Sequence, residues 1–510
     1  MIRQIKTISV LVFLIVFSNY AEKVQNILFI SVDDLKPSIG CFDDKKAITP
    51  YMDKLAKSGT VFLNAHCQQA VCGPSRASLM TGMRPDHTQV LDLKTRMRQK
   101  NPNILTIPQH FKNNGYETIG MGKIFDPRCV DNQMDRYSWS QPFKRFHEIP
   151  AIKGNKPTVI GHFQSDRAHE LLAEAKRNGA VTYAEQKKYL HDRGGNQVVE
   201  AANVPDEAYE DGLLNEFAKN TLKKLKSSKK PFFLAVGYKR PHLPFTAPKK
   251  YWDMYNRNDF KIHPYQKKAK NDDEITYIKV GELKSYNGVP DYDSHSKDIS
   301  KHIPEELQLE LIHGYYACVS YIDKLIGDLV DELRRLKLDK TTAIVIWGDH
   351  GWHLGDHGLW CKHTNFEQAT RSPLMFISPD INGGNKSTSP VEFIDIFPTL
   401  CDLTSQEIPK HLHGLSLKPI MKNPKILVKS SALSQWPSGN GMGYALRNER
   451  FRYVEWMTGD TRSPYNESKV KAKQLFDYQK DPYETVNLAN ESQYKDVANH
   501  LQKELKSYFK

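Results

Sequence analysis

Two acidic pairs stand directly after apolar runs. Asp33-Asp34 follow Asn26–Val32 (NILFISV), and Asp349-His350 follow AIVIW with one glycine between. Adjacent carboxylates repel unless a cation or a proton joins them. Three aspartates form an oxygen-rich set suited to Ca2+ or Mg2+. A single Asp-Asp after a strand is commonly turn or cap chemistry. A second acidic pair at the same kind of position shifts the balance toward a metal site. The third element is Cys72-Gly73-Pro74-Ser75-Arg76, followed by Ala77-Ser78-Leu79-Met80-Thr81-Gly82. The residues after Pro74 read as a helix, with Cys72 at or just before its positive end. An anion is stabilised there, and a thiol there is expected to be acidified.

These groups need a frame that brings strand ends together. Asn26–Val32 is a continuous apolar run, as expected for a buried parallel strand. Phe232–Val236 and Ala343–Trp347 read the same way. Thr49–Ser58 reads as a helix opening at Pro50 and closing at Gly59. Glu305–Lys337 is a long amphipathic helix, and Pro390–Leu403 is another with a strong apolar face. The alternation predicts an α/β fold: a large, mostly parallel sheet sandwiched by helices. Ligands of such sheets bind beyond the carboxyl ends of the strands. Ser140–Glu200 and Asn256–Ile303 are polar and weakly periodic, and read as insertions or surface loops. Lys223–Lys230 reads as a solvated face. After about Lys418 the texture changes to short strand-like pieces, Gly443–Arg447 and Phe451–Trp456, and a closing helix. The expected organisation is a leader over 1–21, a catalytic domain over 22–417 and a smaller C-terminal α+β subdomain over 418–510.

The chain has 510 residues, 39% apolar and 26% charged, which excludes a disordered or collagen-like chain. A mean hydropathy of −0.59 excludes a multi-span membrane protein. Arg3 and Lys6, the apolar run Ile8–Phe17 and the exit Ser18-Asn19-Tyr20-Ala21 read as an export signal. The run is too short for a stable membrane span. Asn19 fits the small-residue cleavage rule poorly, so cleavage stays open. Losing Arg3 and Lys6 takes the formal charge from +13 to +11. A basic surplus fits a polyanionic partner, and export to the periplasm or medium argues against nucleic acid. Seven cysteines are neither a disulfide scaffold nor spaced for zinc. Their odd number leaves at least one unpaired.

C-x-P-S-R followed by L-x-T-G resembles the sulfatase signature. The resemblance covers nearly the whole chain. It includes VDD after the first strand, GYETIGMGK at Gly115–Lys123, GYKRPHLPF at Gly237–Phe245, GDHGWHLGDHG at Gly348–Gly358 and LFDYQKDPYETVNLA at Leu475–Ala489. VDDLKPSIGCFDD, QQAVCGPSRASLMTG and the Asp-His pair are most similar to the iduronate-2-sulfatase subfamily. Most sulfatases carry Asp-Asn at that pair.

The resemblance implies an alkaline-phosphatase-like fold and a cysteine, Cys72, oxidised to formylglycine by a maturation enzyme. It implies Asp33, Asp34, Asp349 and His350 as ligands of one Ca2+, with modified Cys72 completing the shell. Arg76 then holds the formylglycine, and Lys123, His242 and Lys362 contact the sulfate and the bridging oxygen. His242 is the first candidate for general acid and Lys362 the second. A nitrogen ligand such as His350 is chemically odd for a hard cation. The subfamily has G-K-V-F-H where this chain has Gly122-Lys123-Ile124-Phe125-Asp126. If Asp126 lines the pocket, its negative charge is costly beside a sulfate unless Lys123 or Arg128 pairs with it; alternatively it points away and the position belongs to the carbohydrate hydroxyls. His66, Arg96, Arg98, His353, His357 and His363 are further candidates for the rim. The implied substrate is a sulfated polysaccharide or oligosaccharide, either iduronate 2-sulfate or an algal polymer such as ulvan. Two alternatives stay open: a phosphonate or phosphodiester hydrolase of the same superfamily, and a non-catalytic protein that binds sulfated glycan.

Overall fold

The computed structural model describes residues 24–151, 163–277 and 281–509. The expected leader, 1–21, lies outside the described residues. All seven residues of β1 (Asn26–Val32) are buried. Its side chains alternate between two cores. Leu28, Ile30 and Val32 enter one, and Ile27 and Phe29 the other. The strand is therefore covered on both faces, as its unbroken apolar run requires.

Six more strands complete the sheet. They are β2 (Thr60–Phe62), β3 (Glu117–Gly122), β4 (Phe232–Tyr238), β5 (Thr342–Gly348), β6 (Leu374–Ile377) and β7 (Asn385–Ser387). Their order is β7-β2-β6-β5-β1-β4-β3. The run β5-β1-β4-β3 is parallel, and β6 is antiparallel to both its neighbours. Four carboxyl ends therefore open on one edge. Strands β4 and β5 each run beyond the sequence-based expectation, which stopped at Val236 and Trp347.

Helices cover both faces. On one lie α1 (Pro50–Ala56), α5 (Glu210–Leu225) and α6 (Glu305–Arg335). On the other lie α2 (Cys72–Thr81) and α7 (Ile396–Leu403). The expected helix Pro390–Leu403 is shorter than its apolar pattern. Val391–Glu392 is a strand pair with Ala65–His66, and Phe393–Asp395 is a 3-10 turn. Apolar side chains alone did not separate these three conformations. The stretch Ser140–Glu200 is not all loop. It holds α3 (Asp166–Arg177), capped by Ser165, and α4 (Tyr183–Asp192), opened by a Thr182–Glu185 capping box. Leu171, Leu172 and Leu190 form their own small core. Lys223, Lys224 and Lys226 are exposed, as a solvated face requires. No helix among the described residues is long and apolar enough to cross a membrane. All seven cysteines are buried and none forms a disulfide.

The C-terminal part is a four-stranded antiparallel sheet: β8 (Ala432–Ser438), β9 (Gly441–Arg447), β10 (Phe451–Met457) and β11 (Val470–Asp477). Helix α8 (Lys495–Ser507) packs Leu501 and Leu505 on one face. On the other face Trp436, Ala445, Val454 and Trp456 pack against Val71. Gln435 N donates to Gln68 O at 2.8 Å, and Ser434 Oγ to Cys67 O at 2.6 Å. This sheet thus supports the loop that leads into α2.

Strands β3 and β4 approach closely at their carboxyl ends. Lys123 N donates to Gly237 O at 2.8 Å. Gly122 has φ +76°, and a Cβ there would meet the carbonyl oxygen of Gly237. Gly122→Ala is expected to cost roughly 1–3 kcal/mol from the left-handed backbone alone. The check is the urea midpoint, which should fall; an unchanged midpoint would contradict the close approach.

Candidate active site

The carboxyl ends of β1, β3, β4 and β5 deliver Asp33, Asp34, Lys123, His242, Asp349 and His350 to one place, where Cys72 and Arg76 of α2 and Lys362, after the short strand Trp360–Cys361, join them. Asp33 and Asp34 follow β1 directly. Asp34 sits at φ +58°, a left-handed turn that aspartate tolerates better than most residues. Two bonds hold that turn. Tyr315 Oη of α6 donates to Asp34 O at 2.7 Å, and Asp34 N donates to Asp349 Oδ1 at 3.0 Å. Helix α2 starts at Cys72, and one turn on it carries Arg76. Arg76 is fully buried. Its Nε donates to Asp349 Oδ2 at 2.9 Å and its Nη2 to Asp33 Oδ1 at 2.8 Å. Its Nη1 reaches Ser31 Oγ at 2.9 Å and the carbonyls of Lys123 and Ile124 at 2.6 and 3.0 Å.

Cys72 Sγ lies 3.4 Å from His350 Nε2, 3.6 Å from Asp33 Oδ1, 3.7 Å from Lys123 Nζ and 3.8 Å from Asp34 Oδ1. The thiol is not acidified, contrary to the expectation from its helix position. Burial, then the carboxylates of Asp33 and Asp349, push it well above its ordinary value. Burial and the two carboxylates outweigh Lys123 and Lys362, so Cys72 stays a neutral thiol.

The cations are distributed unevenly. Burial would raise Asp33, but Lys123 and Arg76 hold its carboxyl well below the usual range. Burial raises Asp34 well above that range, and Asp33, Glu282 and Asp349 reinforce it against Lys362. Lys123 Nζ is ion-paired to Asp33. Lys362 Nζ donates to Asp34 Oδ2 at 2.9 Å and to Glu282 Oε1 at 3.0 Å, over the ring of Trp352. Burial disfavours its charge, but Asp34 and Glu282 raise it well above the ordinary lysine value. His242 follows β4. Its Nδ1 faces Leu243 O at 2.8 Å and so carries the hydrogen. Its Nε2 lies 3.3 Å from Glu282 Oε1 and 3.8 Å from Asp34 Oδ2. Burial, Lys123 and Lys362 hold His242 well below the usual histidine range, hence neutral.

Glu282 was invisible in the sequence. It belongs to Asn256–Ile303, read above as surface, yet it bridges Lys362 and His242. No periodicity or spacing marks it. The rim candidates divide. His66 is buried between Asn64 and Thr370. Arg98 is consumed by Asp135, Gln109 and the Ile104 carbonyl. His353 is buried between Asp356 and Thr364, and His357 stacks on Phe366. These four are structural. His363 packs against Trp436, and Arg96 is exposed. Asp126 is paired with Arg128, which answers its charge.

The residues present fit a metal ion. His350 Nδ1 faces Gly351 O at 2.9 Å and carries the hydrogen, which leaves the Nε2 lone pair aimed inward. That lone pair faces Asp34 Oδ1 at 3.3 Å and Asp349 Oδ2 at 3.5 Å. Burial lowers the His350 pKa, so the ring itself carries no proton on that side. A lone pair aimed at carboxylates is repulsive unless a cation or a proton lies among them. One ligand atom from each of Asp34, Cys72, Asp349 and His350 falls within 4.8 Å of the others, and the same holds for Asp33, Asp34, Cys72 and His242. Each set draws two of its four donors from carboxylates, the ligands a hard divalent cation prefers.

Known proteins share this arrangement of chain. The family profile described as "Sulfatase" matches residues 25–406, and that described as "N-sulphoglucosamine sulphohydrolase, C-terminal" matches 355–510. The chain is 32% identical to iduronate 2-sulfatase of Mus musculus, over 95% of this chain and 94% of that protein. It is 30% identical to a sulfatase of Formosa agariphila, over 92% and 84%. A phosphonate monoester hydrolase of Silicibacter pomeroyi has the same fold, with a TM-score of 0.69 and 21% identity over 95% of each chain.

Tyr315 touches the site only through the Asp34 backbone and Lys36 N. Tyr315→Phe is expected to weaken divalent-cation binding about 10-fold, read by calorimetric titration of calcium into chelator-treated protein. Equal affinity would show that the Asp34 turn holds without it.

Proposed function

The chain belongs to the sulfatase family of sulfuric ester hydrolases, and from that premise we propose an exported enzyme that removes sulfate from sulfated polysaccharides or oligosaccharides. The observation that carries this reading is the gathering of Cys72, four acids, three cations and two neutral histidines at the strand ends. In this reading a maturation enzyme converts Cys72 to formylglycine, and one Ca2+ is held by Asp33, Asp34, Asp349, His350 and the modified Cys72. Hydrated formylglycine supplies a hydroxyl nucleophile and an exit for the bound sulfate, and the cation supplies positive charge beside it. A protonated thiol supplies neither.

The chain's own side chains do the rest. Arg76 fixes Asp33 and Asp349 and closes the floor of the site. Lys123 and Lys362 offer fixed positive charge to the sulfate oxygens, which is effective where water is excluded. A sugar alkoxide is a poor leaving group and needs a proton at the bridging oxygen. Lys362 carries its proton in this state. Neutral His242 has its Nδ1–H committed to Leu243 and must first take a proton at Nε2. Lys362 and His242 are thus the two candidate donors, the first already protonated and the second not.

The likeness to mouse iduronate 2-sulfatase supports a sulfated uronate as substrate. The basic balance and the export signal fit a sulfated polyanion outside the cytoplasm, whether of the glycosaminoglycan or the ulvan kind. The phosphonate and phosphodiester alternative rests on fold alone, and parallel rates on an aryl sulfate and an aryl phosphodiester separate the two.

The test is sulfate release, by ion chromatography, from a panel of defined sulfated oligosaccharides. The wild-type protein should release sulfate from a sulfated uronate, and Cys72→Ala from none. Mass spectrometry of the peptide holding residue 72 should find the aldehyde; an intact thiol in fully active protein would overturn the scheme. Lys362→Ala should lose about 10²–10⁴-fold in kcat on a sugar sulfate. Its loss on a nitrophenyl sulfate, whose leaving group needs no proton, should be much smaller. Equal losses on both would take proton donation away from Lys362.

A further inference from the structure

Asp126 is 1% exposed. Its three hydrogen bonds all come from one residue. Oδ1 accepts from Arg128 N at 3.0 Å and from Arg128 Nε at 2.9 Å, and Oδ2 accepts from Arg128 Nη2 at 2.7 Å. A buried ion pair usually joins segments, as Arg76 joins the ends of several strands. This one spans two positions of a single loop and joins nothing. What it fixes is the guanidinium itself. The Arg128 side chain remains 52% exposed. Among the described residues, its Nη1 has no acceptor.

The loop lies against the nucleophile. Cys129 packs on the first turn of α2, where a Cβ on Gly73 would stand 2.5 Å from its sulfur. Lys123, which faces Cys72, also acts on Asp126 and helps Arg128 hold that carboxyl below its ordinary range despite burial. The charge of Arg128 in turn reaches Cys72. A cation fixed in one rotamer, half open to solvent and beside the reacting centre is a preorganised anion receptor.

We propose that Arg128, held by Asp126, determines specificity by presenting its free guanidinium edge to a second anionic group of the saccharide, a carboxylate or another sulfate, flanking the ester that is cut. This assignment rests on the sulfatase reading above. It gives the departure at Asp126 a purpose: a carboxylate beside a sulfate site is tolerable because it is spent on orienting a cation. Lysine cannot replace the arginine, since an ammonium held by Asp126 has no planar, outward-facing N–H edge like that of Nη1.

The experiment compares kcat/KM on four substrates: a nitrophenyl sulfate, a 2-sulfated uronate glycoside, its carboxyl-reduced counterpart and a disulfated glucosamine. The proteins are wild type, Arg128→Ala, Arg128→Lys and the double variant D126N/R128Q, which leaves no buried charge unpaired. Each variant is expected to lose roughly 10- to 100-fold more on a substrate with a second anion than on the nitrophenyl sulfate, mainly in KM. A loss that disappears on the carboxyl-reduced sugar identifies the carboxylate. A loss confined to the disulfated sugar identifies the sulfate. Equal losses on all substrates, or none, overturn the assignment while the sulfatase reading stands. A wild-type protein that releases sulfate from no substrate overturns that reading and this assignment with it.

Discussion

The whole arrangement depends on keeping several carboxylates together away from water. Two unit charges 4 Å apart repel by about 4 kcal/mol at the effective dielectric of a protein. A fully buried leucine or phenylalanine contributes roughly 1.5–3 kcal/mol. Packing of one strand end therefore cannot hold Asp33, Asp34 and Asp349 in place by itself. Arg76 does so, because its planar fork reaches Asp33 and Asp349 at once while its remaining donors tie down Ser31 and the carbonyls after β3. A lysine at that position could not satisfy these directions.

The compensation is deliberately incomplete on one side. Asp33 has Arg76 and Lys123, whereas Asp34 has Lys362 among other acids. The two neighbours in sequence are thus driven in opposite directions by their surroundings. Burial, reinforced by Asp33 and Asp349, keeps the thiol protonated, and burial together with the nearby lysines keeps both histidines neutral. A buried group of carboxylates with an inward-facing imidazole lone pair fits a cation.

Much of this was legible in the sequence because the chemistry follows the strands directly. An unbroken apolar run located β1 to the residue, and the acids that follow it could only sit at its carboxyl end. The Cys-to-Arg spacing is one helical turn, so the two side chains had to share a face. Other parts were not legible. Val391, Phe393 and Ile394 are buried like helix residues but belong to a strand and a 3-10 turn. The helix start suggested an acidic thiol, but the carboxylates around it come from strands remote in sequence. Glu282 arrives from a segment whose composition resembles surface, and only the folded chain brings it to Lys362.

The C-terminal sheet has a bearing on timing. Val71, the residue before Cys72, rests on Trp436, Ala445, Val454 and Trp456, and the loop before it hangs from Ser434 and Gln435. Those supports follow the cysteine by most of the length of the catalytic part of the chain. Until they emerge, the cysteine has its own helix but no wall behind it. The wall behind the cysteine is therefore complete only once β8, β9 and β10 have docked.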